Sequence, residues 1–105
     1  MNVKYLDCIE ACYQCIIACE NCLDQMINKK SDNDCPHCCN QCREICDLTM
    51  RVLTREHAKF KKETAQLCAQ ICDWCAEQCE QHDHDHCQRC AETCRKCAEE
   101  CRKIG

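Results

Sequence analysis

Cysteine is the residue type through which this chain can do chemistry, and its cysteines are regularly spaced. Between residues 8 and 22, five cysteines follow one another at intervals of four, three, four and three positions. Residues separated by three or four positions share one face of an α-helix. Three later segments repeat this spacing, so thiols occupy the stripe where a helical bundle usually buries leucine. The cysteines number 19: Cys8, Cys12, Cys15, Cys19, Cys22, Cys35, Cys38, Cys39, Cys42, Cys46, Cys68, Cys72, Cys75, Cys79, Cys87, Cys90, Cys94, Cys97 and Cys101.

Thiolates are soft ligands that select Cu(I), zinc or iron–sulfur clusters. Thiols three or four positions apart on a helix lie about 5–6 Å apart at Cβ, near enough for one ion to bridge their sulfurs. Cu(I) accepts low coordination numbers and bridging thiolates, so the ladders predict multiple Cu(I) ions per chain. Zinc takes about four ligands per site and would fill the same thiols at a lower ratio. The cysteine run that an iron–sulfur cluster requires is missing from the sequence.

Five further residues could bind metal beside the thiols. The segment between Cys79 and Cys87 contains alternating histidines, and imidazole is a good copper ligand. We expect at least one of these histidines to bind metal; the alternative is a polar loop that caps the next helix. The remaining two residues are a histidine next to Cys38 and a methionine that extends the first thiol stripe. These five candidates are His82, His84, His86, His37 and Met26.

The elements that must position these ligands are helices. Glycine and proline occur once each, which is too few for a fold rich in loops or strands. Cys68 lies three heptads plus one residue past Cys46, and in an unbroken helix that one residue would turn the later thiols about 100° away from the heptad stripe; we therefore place a turn near residues 54–57. Short connections then predict an all-α, antiparallel up-down-up-down four-helix bundle with a cysteine-lined core. We predict one domain over residues 1–105, with helices at about 3–27, 35–53, 57–80 and 86–103.

Antiparallel helices bring the first and third connections to the same end of the bundle. Met26 and the four histidines named above should therefore gather at that end and form a ligand-rich mouth. The other end is predicted to be an apolar plug. Its residues would be Tyr5, Met50, Leu53, Phe60 and Ile104.

Composition excludes several classes of partner. The formal net charge is −4 and both signs are interspersed, so no basic face is available for nucleic acid. No stretch approaches the roughly 18 apolar residues of a membrane span, and residues 1–7 do not resemble a signal peptide. We therefore expect a cytoplasmic protein with reduced thiols. An odd cysteine count argues against a disulfide framework, and a core of plain thiols without metal is a further alternative.

The four cysteine ladders, together with the His-Asp-His-Asp-His sequence of residues 82–86, resemble the cytosolic bacterial copper storage proteins. The resemblance covers nearly the whole chain. It implies a homotetramer of four-helix bundles, each storing many Cu(I) ions along its core. It also implies that metal enters at the histidine-bearing end.

We therefore predict a cytosolic protein that stores and sequesters Cu(I) and is not an enzyme. Its copper would come from a copper chaperone or a low-molecular-weight thiol. Sequestration of zinc or another thiophilic metal is the first alternative. A thiol oxidoreductase is the second, because Cys-X-X-Cys spacing occurs at Cys12 and Cys15; such motifs normally come singly at an exposed helix start. Phe60, Leu67 and Trp74 share a row turned away from the thiols and suggest a subunit interface.

Overall fold

Four α-helices make up the regular structure of the residues that the structure describes. The computed structural model describes residues 4–30 and 33–104. The helices are α1 (Leu6–Gln25), α2 (His37–Thr54), α3 (Lys61–Glu80) and α4 (Asp85–Arg102). The predicted all-α architecture is confirmed. The predicted first helix began near residue 3, which lies outside the described residues, as do residues 1 and 105.

The helices run antiparallel and surround one axis. Cys8, near the start of α1, lies 3.6 Å from Cys101 at the end of α4, measured between their sulfurs. Cys22, near the end of α1, lies 4.0 Å from Cys87 at the start of α4. Each helix packs against its two neighbours, in the cyclic order α1, α2, α3, α4. The result is a rod with extents of 43 × 19 × 18 Å.

The core of this rod contains sulfur and small residues. All of the cysteines are buried, and small alanines lie beside them, including Ala69 and Ala76 on α3 and Ala91 and Ala98 on α4. Alanine has a high helix propensity and lets neighbouring helices approach closely. Larger apolar side chains such as Ile9 and Ile16 pack against the edges of this core and are partly buried.

The connection between α2 and α3 extends from residue 55 to residue 60, so α3 begins four residues later than the predicted start at 57. Phe60 precedes the helix in a left-handed backbone conformation, with a φ of 65°. This conformation is unfavourable for a bulky residue, and it takes Phe60 out of the helical phase of α3. Phe60 is 71% exposed, so the prediction that it belongs to the apolar plug is wrong.

The other predicted plug residues do lie at or near the core. Leu53 is completely buried and Ile104 nearly so, while Tyr5 and Met50 pack against the core and are partly buried. Thr49 adds a polar group in the same region and satisfies it by donating a hydrogen bond to the Ile45 carbonyl. In the described part of the chain, no helix has the length and apolar character that crossing a membrane requires.

Candidate metal centre

The thiols form a continuous column along the bundle axis. All 19 cysteines lie in the described ranges, and the structure has every one of them as a free, buried thiol. Their sulfurs approach one another from different helices; the Sγ atoms of Cys15 and Cys42 are 3.5 Å apart, and those of Cys46 and Cys97 are 3.8 Å apart. The side chains from the four ladders therefore meet in the middle of the bundle.

Within this column the sulfurs are arranged in quartets. In each quartet all four sulfurs lie within 4.8 Å of one another, and all four residues are buried. Among the groups of this kind, five quartets each share one cysteine with the neighbouring quartet and form a chain from one end of the bundle to the other. In order, they are Cys12–Cys68–Cys97–Cys101, Cys15–Cys46–Cys72–Cys97, Cys15–Cys19–Cys42–Cys94, Cys19–Cys39–Cys75–Cys90 and Cys22–Cys35–Cys39–Cys79.

Three cysteines stand outside these five quartets. Cys8 lies at the plugged end next to Cys101, and Cys87 lies at the opposite end next to Cys22. Cys38 lies beside the column, where its thiol donates to the backbone carbonyl of Cys75 over 3.9 Å. Helical phase explains this position, because Cys38 precedes Cys39 by one residue and so points about 100° away.

The histidine closest to the column is His86. Its Nδ1 atom is 3.4 Å from the Sγ atom of Cys22 and 3.4 Å from that of Cys87. When the imidazole carries its proton on Nε2, Nδ1 can accept a hydrogen bond from either thiol, and the same lone pair can bind a metal ion. His84 is exposed and stacks on His86, with ring centroids 5.4 Å apart and planes inclined by 4°. The two rings form a short path from the surface to the sulfurs.

Met26 also lies beside the sulfurs. Its Sδ atom accepts a hydrogen bond from the Cys35 thiol over 3.8 Å, and the side chain is partly buried. The Cys35 sulfur is in turn 3.9 Å from that of Cys79 on α3. A thioether is a soft ligand, so the geometry allows Met26 to contribute to a site at this end.

The structure places the other two histidines away from the thiols. His82 is engaged by Asn33, with Nε2 3.1 Å from the Asn33 Oδ1 atom. His37 is exposed and lines a groove between α2 and α3 with Ile45 and Leu48. Among the described residues, neither histidine forms a hydrogen bond with a thiol. A metal-binding role for His37 and His82 stays a prediction.

Sequence reasoning missed the role of Asn33. Its side-chain nitrogen donates to the Gln78 carbonyl over 3.0 Å and to Gln81 Oε1 over 2.9 Å. Its side-chain oxygen accepts from the Cys35 amide over 3.0 Å. This last bond closes an Asx turn, in which an asparagine side chain binds the backbone amide two residues later. The sequence signal for it was an asparagine in the polar segment just before α2. Asn33 thus joins the first connection of the bundle to the end of α3.

At the histidine end, two thiols, those of Cys87 and Cys22, favour the protonated form. Burial raises the pKa of the Cys87 thiol to about 12, and the nearby Cys22 sulfur adds to the shift. The hydrogen bond with Cys35 and burial likewise raise the pKa of Cys22. Both groups are therefore neutral thiols at pH 7 in the metal-free protein. Each must release a proton when it becomes a metal ligand.

Comparison with known proteins gives one consistent result. The sequence model of the copper storage protein family (Csp) matches residues 1–105. Among solved structures, Cu(I)-bound copper storage protein BsCsp3 is 40% identical over 90% of this chain and 92% of that chain, with a TM-score of 0.81. Metal-free copper storage protein 3 from Bacillus subtilis is also 40% identical, over 91% and 93%, with a TM-score of 0.78.

A third similar structure shows a cytosolic copper storage protein from Streptomyces lividans during copper loading, with five coppers. It is 33% identical to this chain over 93% of this chain and 88% of that chain, with a TM-score of 0.81. No match was found among curated protein sequences.

Proposed function

This chain belongs to the copper storage protein family, and we propose that it stores many Cu(I) ions as thiolate complexes along the axis of its helix bundle. The match over residues 1–105 confirms the resemblance that the cysteine ladders suggested. Similarity to a Cu(I)-bound protein at 40% identity supports the identity of the metal.

The observation that carries the proposal is the sharing of cysteines between neighbouring quartets. Cys97, Cys15, Cys19 and Cys39 each belong to two of them. A shared thiolate can bridge two ions, so the quartets form one extended site along the axis. Such an arrangement suits a large store, whereas a structural metal site closes around a single ion.

Charge favours Cu(I) over zinc in this core. Four thiolates carry four negative charges and a zinc ion neutralises two of them, so filling the column with zinc would leave net negative charge in a dry interior. Uncompensated buried charge is strongly unfavourable. Cu(I) has a single positive charge, and one ion for each thiolate gives a neutral core. Soft thiolates also suit Cu(I) by ligand type.

We assign the following ligands on this basis. All of the thiols of the column bind Cu(I), with His86 and Met26 completing sites at the mouth. His84, stacked on His86, is the first contact for an arriving ion. Copper enters at this end because the ring of His86 reaches both the groove at the surface and the first thiols, Cys22 and Cys87.

We also propose that the protein works in the cytoplasm as a homo-oligomer. The Streptomyces lividans relative is described as cytosolic, and reduced thiols persist in that compartment. Leu48 and Leu67 are each 48% exposed and lie with Ile45 and Ile71 along a groove between α2 and α3, whose other lining residues are polar. A second copy of the chain would cover this surface, consistent with the tetramer that the resemblance implies.

A thiol oxidoreductase is the less favoured function. Its nucleophilic cysteine must be accessible to a substrate disulfide. Cys12 and Cys15, the first Cys-X-X-Cys pair, are completely buried in the middle of α1. We propose that the protein is not an enzyme.

Anaerobic titration of the reduced protein tests the proposed function. Cu(I) and, separately, Zn(II) are added, and the metal bound per chain is measured after gel filtration. We expect a Cu(I) content comparable with the number of thiols and a much lower zinc content. Saturation at a handful of Cu(I) ions, or an equal capacity for both metals, would show that the column is not a Cu(I) store.

A further inference from the structure

A polar groove leads from the side of the bundle to the top of the thiol column. It lies between α1 and α4 and has a volume of about 790 Å³. His86 and His84 form part of its lining, and Gln14 and Asn21 face it from α1. The groove is of the size that binds small molecules in other proteins, roughly 300–1,000 Å³. Through His86 it reaches Cys22 and Cys87.

The α2–α3 side of the same end is closed by hydrogen bonds. Asn33 holds the connection before α2 against Gln78 and Gln81 on the α3 side. The Asp34 amide donates to Gln78 Oε1 over 3.1 Å and strengthens the same closure. Access to the thiols is therefore more open between α1 and α4 than between α2 and α3.

Four charged side chains line the groove. Lys29 and Arg89 are positive, and Asp85 and Glu92 are negative. Within residues 4–30 and 33–104, none of the four side chains has an ion-pair or hydrogen-bond partner. The face between α3 and α4 differs, because there Arg95 pairs with Glu80 and Asp73 at 3.0 and 3.2 Å.

We propose that the groove binds the copper donor in the form of a Cu(I) complex of a small zwitterionic thiol, such as a cysteine-containing peptide. Carboxylates of the peptide pair with Lys29 and Arg89, and its ammonium group pairs with Asp85 or Glu92. The side-chain amides of the groove offer hydrogen bonds to the peptide backbone. The inference rests on the proposed storage of Cu(I) and assigns the class of donor and its binding site.

Transfer from this complex is a ligand exchange without redox change. Two bonds from Cu(I) to the donor sulfurs break, and two bonds to the sulfurs of Cys22 and Cys87 form. The protons of the two thiols pass to the two departing donor thiolates, so charge and protons balance. The Nδ1 atom of His86 is 3.4 Å from both sulfurs. It can bind the ion after the bonds to the donor have broken and before the bonds to Cys22 and Cys87 have formed.

The test uses a variant that removes both positive charges, Lys29→Ala with Arg89→Ala. Its matched control, Lys59→Ala with Lys62→Ala, removes two exposed lysines at the opposite end and gives the same net charge. Copper is supplied anaerobically either as Cu(I)–glutathione or as Cu(I) in acetonitrile. The initial rate of copper uptake is measured, at several donor concentrations, from the increase in absorbance of the thiolate–Cu(I) bonds. The total copper bound per chain is measured at the end.

We expect the groove variant to need about tenfold more Cu(I)–glutathione for half-maximal rate, since two charge contacts are lost. Its rate with acetonitrile-supplied copper and its final capacity should equal those of the control. The proposal would be overturned if the wild type and both variants needed the same Cu(I)–glutathione concentration for half-maximal rate. It would also be overturned if the uptake rate fell equally in both variants.

A second measurement separates this inference from the storage function. S-methylglutathione cannot bind copper through a thiolate, and its binding to the metal-free protein is followed by NMR. Saturable shifts at Asn21 and Glu92, which line the groove and are present in both proteins, are expected in the wild type and should vanish in the groove variant; no shifts there in the wild type would overturn the donor site. A low final copper content with both donors would instead overturn the storage function, whatever the NMR result.

Discussion

The sulfurs of Cys22 on α1 and Cys87 on α4 lie 4.0 Å apart. The Nδ1 atom of His86 is 3.4 Å from each of them, so three soft or borderline donors converge at one end of the column. Two of the three come from α4 and one from α1, which means that only the packed bundle creates this arrangement. This convergence is the reason for proposing that copper enters at this end.

Replacing His86 by alanine should slow copper uptake without changing capacity. The substitution removes the nitrogen beside Cys22 and Cys87 but leaves every thiol in place. We expect the initial rate of anaerobic Cu(I) uptake to fall about tenfold, the scale typical of losing a group that assists a metal site. His57→Ala at the opposite end is the control and should behave as the wild type. An unchanged rate for His86→Ala would place copper uptake elsewhere.

Cysteines should differ in their contribution to capacity according to their position. Cys15 belongs to two quartets, and its sulfur is 3.5 Å from that of Cys42 and 3.6 Å from that of Cys94. Cys15→Ala should therefore lower the Cu(I) content by more than one ion per chain. Cys38→Ala, outside the five quartets, should lower it by about one ion or less. The Cu(I) content per chain is measured by metal analysis after saturation. If both variants lost the same number of Cu(I) ions, an extended site with bridging thiolates would be contradicted.

The metal-free, reduced protein should remain helical. Besides the thiols, completely buried apolar residues such as Leu53 and Ala98 pack in the core, and these contacts do not depend on metal. Circular dichroism before and after removal of copper with a chelator should show nearly the same helix content. Bound copper should still raise the midpoint of thermal unfolding, since it binds the folded form. Collapse of the helical signal on metal removal would show that metal creates the fold.

Alkaline pH should destabilise the metal-free protein. The pKa of Cys87 rises from an ordinary value of 9.0 to about 12 in the fold, so between these values the unfolded chain loses a proton that the folded chain keeps. The unfolded state then binds fewer protons, and the free energy of unfolding falls as pH rises above about 9. Anaerobic urea unfolding at pH 7.5 and 10.5 measures the loss. In Cys87→Ser, the free energy of unfolding should fall less between these two pH values than in the wild type. An identical fall would contradict the raised pKa of Cys87 as its cause.

The buried position of Ala98 in α4 should not tolerate a larger residue. Ala98 is completely buried, and Ala76 on α3 is buried as well. Ala98→Leu would force the helices apart and should lower the free energy of unfolding by about 1–3 kcal/mol. Urea unfolding of the reduced protein measures the change. Glu99→Leu on the exposed face of the same helix is the control and should change it by less than about 0.5 kcal/mol.

Much of the fold could be predicted from local spacing. The intervals of three and four between cysteines are a property of each helix by itself, and they placed Cys8, Cys46 and Cys101 on buried faces before any packing was known. The break between α2 and α3 followed from helical phase as well. The ends of the helices do not follow from this spacing: Phe60 is predicted to lie in the plug, yet its left-handed backbone conformation takes it out of the helical phase of α3, and its side chain is exposed.

By itself, then, the sequence determined that this is a helical bundle with a thiol core. Only the tertiary structure decided how the helices are aligned along the axis, and this alignment sets which sulfurs form each quartet. It also decided that His86 reaches the thiols while His37 faces outward, and that Asn33 closes one side of the mouth. The physical reason is that periodicity acts within one helix, whereas contacts between helices depend on the packing of side chains far apart in sequence.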